Sequence, residues 1–361
     1  MRTARDCNNY ARPLIILFIK FDTYSIYFGN KGERKGKGNN MKIEGIGIDF
    51  CGLGPINQIK QVEQNLGTLV DMGYMVVEIG LEQLNLIING ELRSKEYEIL
   101  KSVLKNFNLT YTVHGFLRLN LAYDERVDLC RKIMNTQIEF CNGIGATRLV
   151  IHSGLESLTT IRQGVRNTLL SDEELHQGEV NEVTALKASG KVASDAGVLI
   201  CVENSDAHLW ELNVIHQCGG NTSDLPKYHA RLLLPKVVKQ LEEVNHPNVA
   251  MTLDFGHLFI ASKVVGFEYF QAIREAAPWI KHLHVSDNFG NLDRNVYHEP
   301  DRWAFAEADM HMPPGWGAIP LKQAISCLPD FNGYVILEMN EGFRDSFPAA
   351  FVNTKNLFNL Q

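Results

Sequence analysis

Short β-branched and apolar runs recur along the chain from about residue 43. Each is followed by a longer segment whose apolar positions repeat at helical spacing. The runs are Ile43–Asp49, Tyr74–Glu78, Thr110–His114, Arg148–His152, Val198–Glu203, Ala250–Asp254, Ile280–Ser286 and Tyr334–Glu338. The amphipathic segments between them include Ile59–Met72, Asp124–Gly143, Asp172–Asp195, Pro235–Val244 and Glu268–Ala276. Alternation of strand and helix predicts parallel strands joined by right-handed crossovers. Eight such units in about 320 residues predict an α/β fold, a single-domain (β/α)8 TIM barrel. The competing architecture is an open doubly wound sheet, which normally carries a GxGxxG turn after its first strand. Ile46–Gly47–Ile48–Asp49 lacks that pattern, which favours the barrel.

Polar residues close almost every run. The third ends at His114, the fourth at His152, the fifth at Glu203 and the sixth at Asp254, with His257 three residues on. The seventh carries His282 and His284, and the eighth ends at Glu338. Parallel strands covered on both faces read as apolar. A His, Asp or Glu at the end of each therefore needs a partner or a metal. Barrel chemistry is built at the C-terminal ends of the strands, so these residues predict one shared polar site. The loop after the seventh run adds Asp309 and His311, two apart and on one side of an extended segment. Gly315 and Gly317 follow, where the backbone can turn closely against a ligand. Imidazoles mixed with carboxylates suit Zn, Mn or Fe, and also Mg.

Composition and charge change this picture at the N-terminus. Apolar residues are 45% and charged residues 21%, as in a globular enzyme. The formal charge is -7. Residues 1–40 hold eight basic and three acidic residues, a net +5, so the remaining 321 residues carry -12. An acidic body disfavours a nucleic-acid partner. The apolar run Pro13–Ile19 is shorter than the roughly 20 residues of a membrane span, and no small-residue cleavage site follows it. Residues 31–40 are low in complexity, and Met41 opens directly into the first strand. Residues 1–40 are thus expected to be a disordered extension or to lie upstream of the true start at Met41, with 41–361 forming the barrel. Seven cysteines, widely spaced and without a CxxC pair, point to free thiols in a reducing compartment and hence the cytoplasm.

Taken in order, seven motifs resemble one superfamily. They are Val113–His114–Gly115, Val150–Ile151–His152–Ser153, Cys201–Val202–Glu203–Asn204, Thr252 to His257, His282 to Asp287, Asp309 to Gly317, and Ile336–Leu337–Glu338. Over residues 43–345 the chain resembles the xylose isomerase-like TIM barrels. These include sugar epimerases, hydroxypyruvate and inosose isomerases, and the endonuclease IV type of AP endonuclease (AP endonuclease family 2). The epimerase and isomerase branch implies one divalent metal (Mn, Mg or Zn) on Glu203, Asp254, His284 and Glu338. There Glu203 and Glu338 are the catalytic acid–base pair acting through an enediolate, His257 bonds a substrate oxygen, and His114 and His152 line the pocket. The endonuclease IV branch implies up to three Zn, on those four residues together with His114, His152, His257, Asp309 and His311. Its chemistry is phosphodiester hydrolysis at abasic DNA.

Three features favour the sugar enzyme. The body is acidic, whereas DNA-binding enzymes gather Lys and Arg against phosphates. The position of that family's DNA-probing aromatic holds Leu117, between Phe116 and Arg118. The Asp-x-His-x-Pro pattern is also common among sugar-isomerase-like members. The expectation is therefore a metal-dependent isomerase or epimerase of a small sugar, keto-sugar or polyol. No membrane or nucleic-acid partner is expected, and the resemblance implies a homo-oligomer. Retention of both Glu203 and Glu338 argues against a barrel that only binds.

Other residues have two readings each. Trp316 stacks on a sugar face or packs in its loop. Glu78 bonds substrate or forms a rim salt bridge, and Asp287 orients His284 or caps a turn. His282 sits one layer deeper than His284, with a supporting or core role. Tyr297, His298, Arg302 and Trp303 lie in one long connection and Asn204–Tyr228 in another, with Trp210 and Gly219–Gly220. Both suit lids or specificity loops. Cys201 reads as a small core residue.

Overall fold

Eight parallel strands pair around a closed ring: β1 (Lys42–Phe50), β2 (Val76–Gly80), β3 (Thr110–His114), β4 (Arg148–Ile151), β5 (Leu199–Glu203), β6 (Val249–Asp254), β7 (Ile280–Val285) and β8 (Asn332–Glu338). β1 closes the barrel by pairing with β2 on one side and β8 on the other. This computed structural model describes residues 40–50, 56–123, 126–152, 157–294 and 299–360. The expectations for residues 1–39 and for Tyr297 and His298 lie outside the described residues.

Along each strand the side chains alternate. Ile48, Val77, Val113, Val202, Leu253, Leu283 and Leu337 are fully buried beneath the helices. Each contributes about 1.5–3 kcal/mol by leaving water. Their neighbours Asp49, Glu78, His114, Glu203, Asp254, His284 and Glu338 take the other phase and face the barrel interior. The outer layer includes helices Ile59–Asp71, Ser94–Leu104, Val127–Ile144, Asp172–Ala196, Leu234–Val244, Tyr269–Ala276 and Phe347–Leu357. The long helix Asp172–Ala196 starts at a capping box. Ser171 Oγ accepts from Glu174 N, and Glu174 Oε2 accepts from Ser171 N at 2.7 Å. It stops at Gly197, whose φ of +68° reverses the chain.

Two boundaries differ from the expected runs in ways that matter for the site. β2 lies two residues later than Tyr74–Glu78. Tyr74 is instead held before the strand by its hydroxyl donating to Phe347 O at 2.9 Å. Glu78 therefore pairs with Thr112, and Gly80 with His114, so Glu78 sits one layer below the strand ends. β4 ends at Ile151, which leaves His152 just beyond the sheet.

The chain after β5 is not a bare loop. Leu209–Gln217, Leu225–Tyr228 and Ala230–Leu232 are short helices. They pack Leu212, Ile215, Leu225 and Leu232 with Leu158, Leu175 and Ile260 into a small second core. Among the described residues, no helix is long and apolar enough to cross a membrane.

Candidate metal centre

Glu203 stands in the middle of the cluster and is fully buried. Its Oε1 lies 2.8 Å from His284 Nδ1, and its Oε2 lies 2.7 Å from His152 Nε2 and 3.6 Å from His114 Nε2. Glu338 Oε2 approaches the same His284 Nδ1 at 3.1 Å. Asp254 caps the helix Phe255–Val265, its Oδ1 accepting from His257 N at 2.5 Å, which places His257 in the first helical turn above the barrel. Asn204 ties β5 to β6. It donates to Asp254 O at 3.0 Å and accepts from Asp254 N at 2.9 Å. Ligating atoms of Glu203, Asp254, His284 and Glu338 all fall within 4.8 Å of one another.

A second donor group adjoins the first. Asp309 Oδ2 lies 3.1 Å from His257 Nε2 and 2.5 Å from His311 Nε2. His311 holds a left-handed backbone, φ +47°, a conformation uncommon outside glycine though histidine adopts it more readily than most residues. His114 and Glu203 form a third group with His284. The nine residues of the two ligand sets named above thus come together on one face of the barrel.

The far nitrogens of the rings are committed elsewhere. His114 Nδ1 meets Gly115 O at 3.0 Å, and His257 Nδ1 meets Asn204 O at 3.0 Å. A carbonyl only accepts, so both Nδ1 atoms carry hydrogen and both Nε2 atoms face the cluster. The longer 3.7 and 3.8 Å approaches of His257 Nδ1 to Glu203 and Asp254 are secondary to that bond. His284 is turned the other way round. Its Nε2 meets Glu78 Oε1 at 2.8 Å, which leaves Nδ1 toward the carboxylates.

Charge follows geometry. Burial alone would raise the Glu203 carboxyl, but the imidazoles of His284 and His152 hold it well below the usual range. Burial pushes Asp254 up to about 7, against the pull of His257 and helped by Asp309, Glu338 and Glu203. For His114 burial acts downward, and the carboxylates of Glu203, Asp49 and Glu338 outweigh it, raising it to about 10. So many carboxylates in a buried space draw positive charge into the centre.

The donors fit a divalent cation. Buried atoms His114 Nε2, His152 Nε2, Glu203 Oε2, Asp254 Oδ2, Asp309 Oδ2 and Glu338 Oε2 find no aligned hydrogen-bond partner among the described residues. Buried polar atoms normally have one. Close approach without hydrogen-bond alignment is the geometry of ligands that share a cation.

Two expectations change, and Asp287 takes the turn-capping one of its two readings. Asp287 does not orient His284. Its Oδ1 accepts from Asn288 N and Ile319 N, and its Oδ2 from Gly315 N at 2.8 Å, so it shapes the loop that carries Asp309 and His311. Gly317 packs against that turn rather than against a ligand space, because a Cβ there would lie 2.4 Å from Asn288 O and Asp287 Oδ1. Gly317→Ala is expected to cost about 1–3 kcal/mol in urea unfolding, as overpacking does. Unchanged stability would contradict this account of the turn. Glu78 is neither at the rim nor exposed but fully buried below the ligands.

Trp316 is not brought into the polar cluster. It is 55% exposed, meets Phe343 edge-on at 5.8 Å, and lines a groove of about 450 Å³ with Pro313, Pro314, Val352 and Asn353. Two polar residues of the site carry sequence signals that went unread. Asp49 closes the run Ile43–Asp49, lies in register with Glu338 and Glu78 and is buried, which the same strand-end rule would have flagged. Asn288 donates to Asp309 Oδ1 at 3.2 Å, where only its nearness to Asp287 hinted at a role.

A sequence model of the xylose isomerase-like TIM barrel family matches residues 66–350. No curated protein matches the sequence. Among solved structures, the chain is similar to a D-tagatose 3-epimerase-like protein, at 17% identity and a TM-score of 0.62, covering 87% of this chain and 97% of that one. It is similar to a 3-keto-D-glucoside 4-epimerase from E. coli, at 16% identity and 0.59, covering 88% and 99%. It is also similar to a Thermus thermophilus protein soaked with ZnCl2, at 18% identity and 0.56, covering 86% and 97%. At these identities the likeness is one of fold.

Proposed function

The chain belongs to the xylose isomerase-like TIM barrel family, and from that premise we propose that it is a divalent-metal-dependent isomerase or epimerase of a small sugar, keto-sugar or polyol. The observation that carries this reading is the convergence of two carboxylates on one histidine nitrogen. Glu203 reaches His284 Nδ1 from β5 and Glu338 reaches it from β8. With Asp254 they form a four-donor group suited to Mn, Mg or Zn. A divalent cation held there would polarise the carbonyl of a hydroxy-ketone and acidify the neighbouring C–H.

The protein's own part is proton transfer and positioning. Glu203 removes the proton next to the carbonyl, and Glu338, from β8 across the site, returns one. His257 presents Nε2 to a substrate oxygen, its Nδ1–H fixed by Asn204 O. His114 and His152 line the β3–β4 side. The partly exposed residues His152, His311 and Glu338 mark the side by which a small molecule enters. The unit that performs this is residues 41–361. The fold likeness to a D-tagatose 3-epimerase-like protein and to a 3-keto-D-glucoside 4-epimerase supports a substrate of that class.

The second donor group favours a second reading, a trinuclear zinc phosphodiesterase acting on abasic DNA. His257, Asp309 and His311 converge without help from the first group. Against it stand the charge of -12 over residues 41–361 and an exposed Leu117. Metal content of the purified protein separates the two. One Mn, Mg or Zn per chain on the Glu203 group is the expected result, and three Zn per chain would replace it with the hydrolase.

A further inference from the structure

Directly beneath the four-donor group lies a second polar layer that the proposed reaction does not use. Glu78, fully buried at the middle of β2, accepts three hydrogen bonds. Thr112 Oγ1 donates to its Oε2 at 2.8 Å, His282 Nε2 meets the same oxygen at 2.9 Å, and His284 Nε2 meets Oε1 at 2.8 Å. The three donors come from β3 and β7, so the layer spans the barrel. A carboxylate with no exposure is costly unless its oxygens are met, and here both are.

The arrangement bears on one ligand in particular. His284 has carboxylates on both sides of its ring, with Glu203 and Glu338 at Nδ1 and Glu78 at Nε2. The Nε2 hydrogen is committed to Glu78. The lone pair left to bind a cation is therefore on Nδ1, which faces the other donors. Two further residues hold Glu78 in place: Thr112 on the adjacent strand, and His282 beside His284 at 5.4 Å between ring centres.

We propose that Glu78 is a positioning residue for the metal centre. Clamped by Thr112 and His282, it fixes the ring orientation of His284 and raises the basicity of Nδ1, and so sets how tightly the centre holds a divalent cation. The inference rests on the reading of Glu203, Asp254, His284 and Glu338 as ligands. It does not depend on which substrate is turned over. Carboxylates that hold the far nitrogen of a ligating histidine typically contribute 10–100-fold to metal affinity.

The test is Zn²⁺ affinity of the full chain by competition with a chelating indicator. It compares wild type with Glu78→Gln, an isosteric change that removes the charge, and with Thr112→Val, which removes only the clamp. Far-UV circular dichroism and the melting temperature serve as fold controls. Affinity is expected to fall about 10–100-fold in Glu78→Gln, and by a smaller factor in Thr112→Val. Affinity within twofold of wild type in a folded Glu78→Gln overturns the proposal. Should that variant not fold, wild type decides alone. In the Zn²⁺-loaded protein, long-range ¹H–¹⁵N spectra must place the His284 ring proton on Nε2, with the signal assigned by its loss in His284→Gln. A proton on Nδ1 overturns it. Loss of affinity together with absence of any sugar turnover would uphold the role of Glu78 while removing the isomerase reading. Turnover together with unchanged affinity would do the reverse.

Discussion

Glu203→Gln is expected to lower turnover by about 10²–10⁴-fold, the range of a lost general base, and to weaken cation binding at the same time. The amide keeps the volume of the side chain, so the fold should survive. What it loses is the charge that draws His284, His152 and His114 together, and the oxygen that takes the proton. Glu338→Gln should fall in the same direction, because a proton taken on one side has to be returned from the other. The double variant should be little worse than either single one, as for residues that act as a unit. Steady-state rates at saturating Mn²⁺ check this. A variant that keeps full turnover would remove the two-carboxylate mechanism.

Glu182→Ala is expected to cost about 3–5 kcal/mol of stability, the usual loss when one partner of a buried ion pair is removed. Glu182, on the long helix Asp172–Ala196, pairs with Arg231, and both are buried. Arg231 also carries the carbonyl that accepts from Ser205 N at 3.2 Å, two residues past Glu203. The pair thus pins the connection after β5 to the outer helix layer. Nearby, His229 Nδ1 meets buried Glu211 Oε1 at 2.6 Å, a second buried polar contact in the same connection. Removing Glu182 strands the Arg231 charge, and adding Arg231→Met should restore part of the loss. Urea unfolding of the wild type and these two variants measures it. A Glu182→Ala protein as stable as wild type would show the pair to be dispensable.

The barrel was legible because its strands are short β-branched runs with charged ends, and the period of two places those ends on one face. The ligand positions followed from the strand ends and from the family resemblance. The helix Phe255–Val265 was not legible, since it is buried nearly all round and its apolar positions have no polar face to set a period. Glu78 was misplaced for a related reason. Tyr74 and Val76 are equally strand-prone, and the start of β2 is decided by a hydrogen bond to Phe347, 273 residues away. Asp287 was left between orienting His284 and capping a turn, and the turn is what it caps, because its partners are the backbone amides of a loop and amides leave no mark in a sequence. The pair Glu182–Arg231 looks like two solvated charges until the connection after β5 folds over the helix.

Proton transfer next to a sugar carbonyl leaves an isotopic trace in the substrate itself. The Mn²⁺-loaded protein is incubated in D₂O with a panel of ketoses and 3-keto-glycosides, and each sugar is followed by proton NMR. One deuterium is expected to enter at the carbon beside the carbonyl of an accepted substrate, and Glu203→Gln is expected to abolish the exchange. No exchange into any sugar of the panel, together with cleavage of an abasic-site duplex by the Zn²⁺-loaded protein, would contradict it.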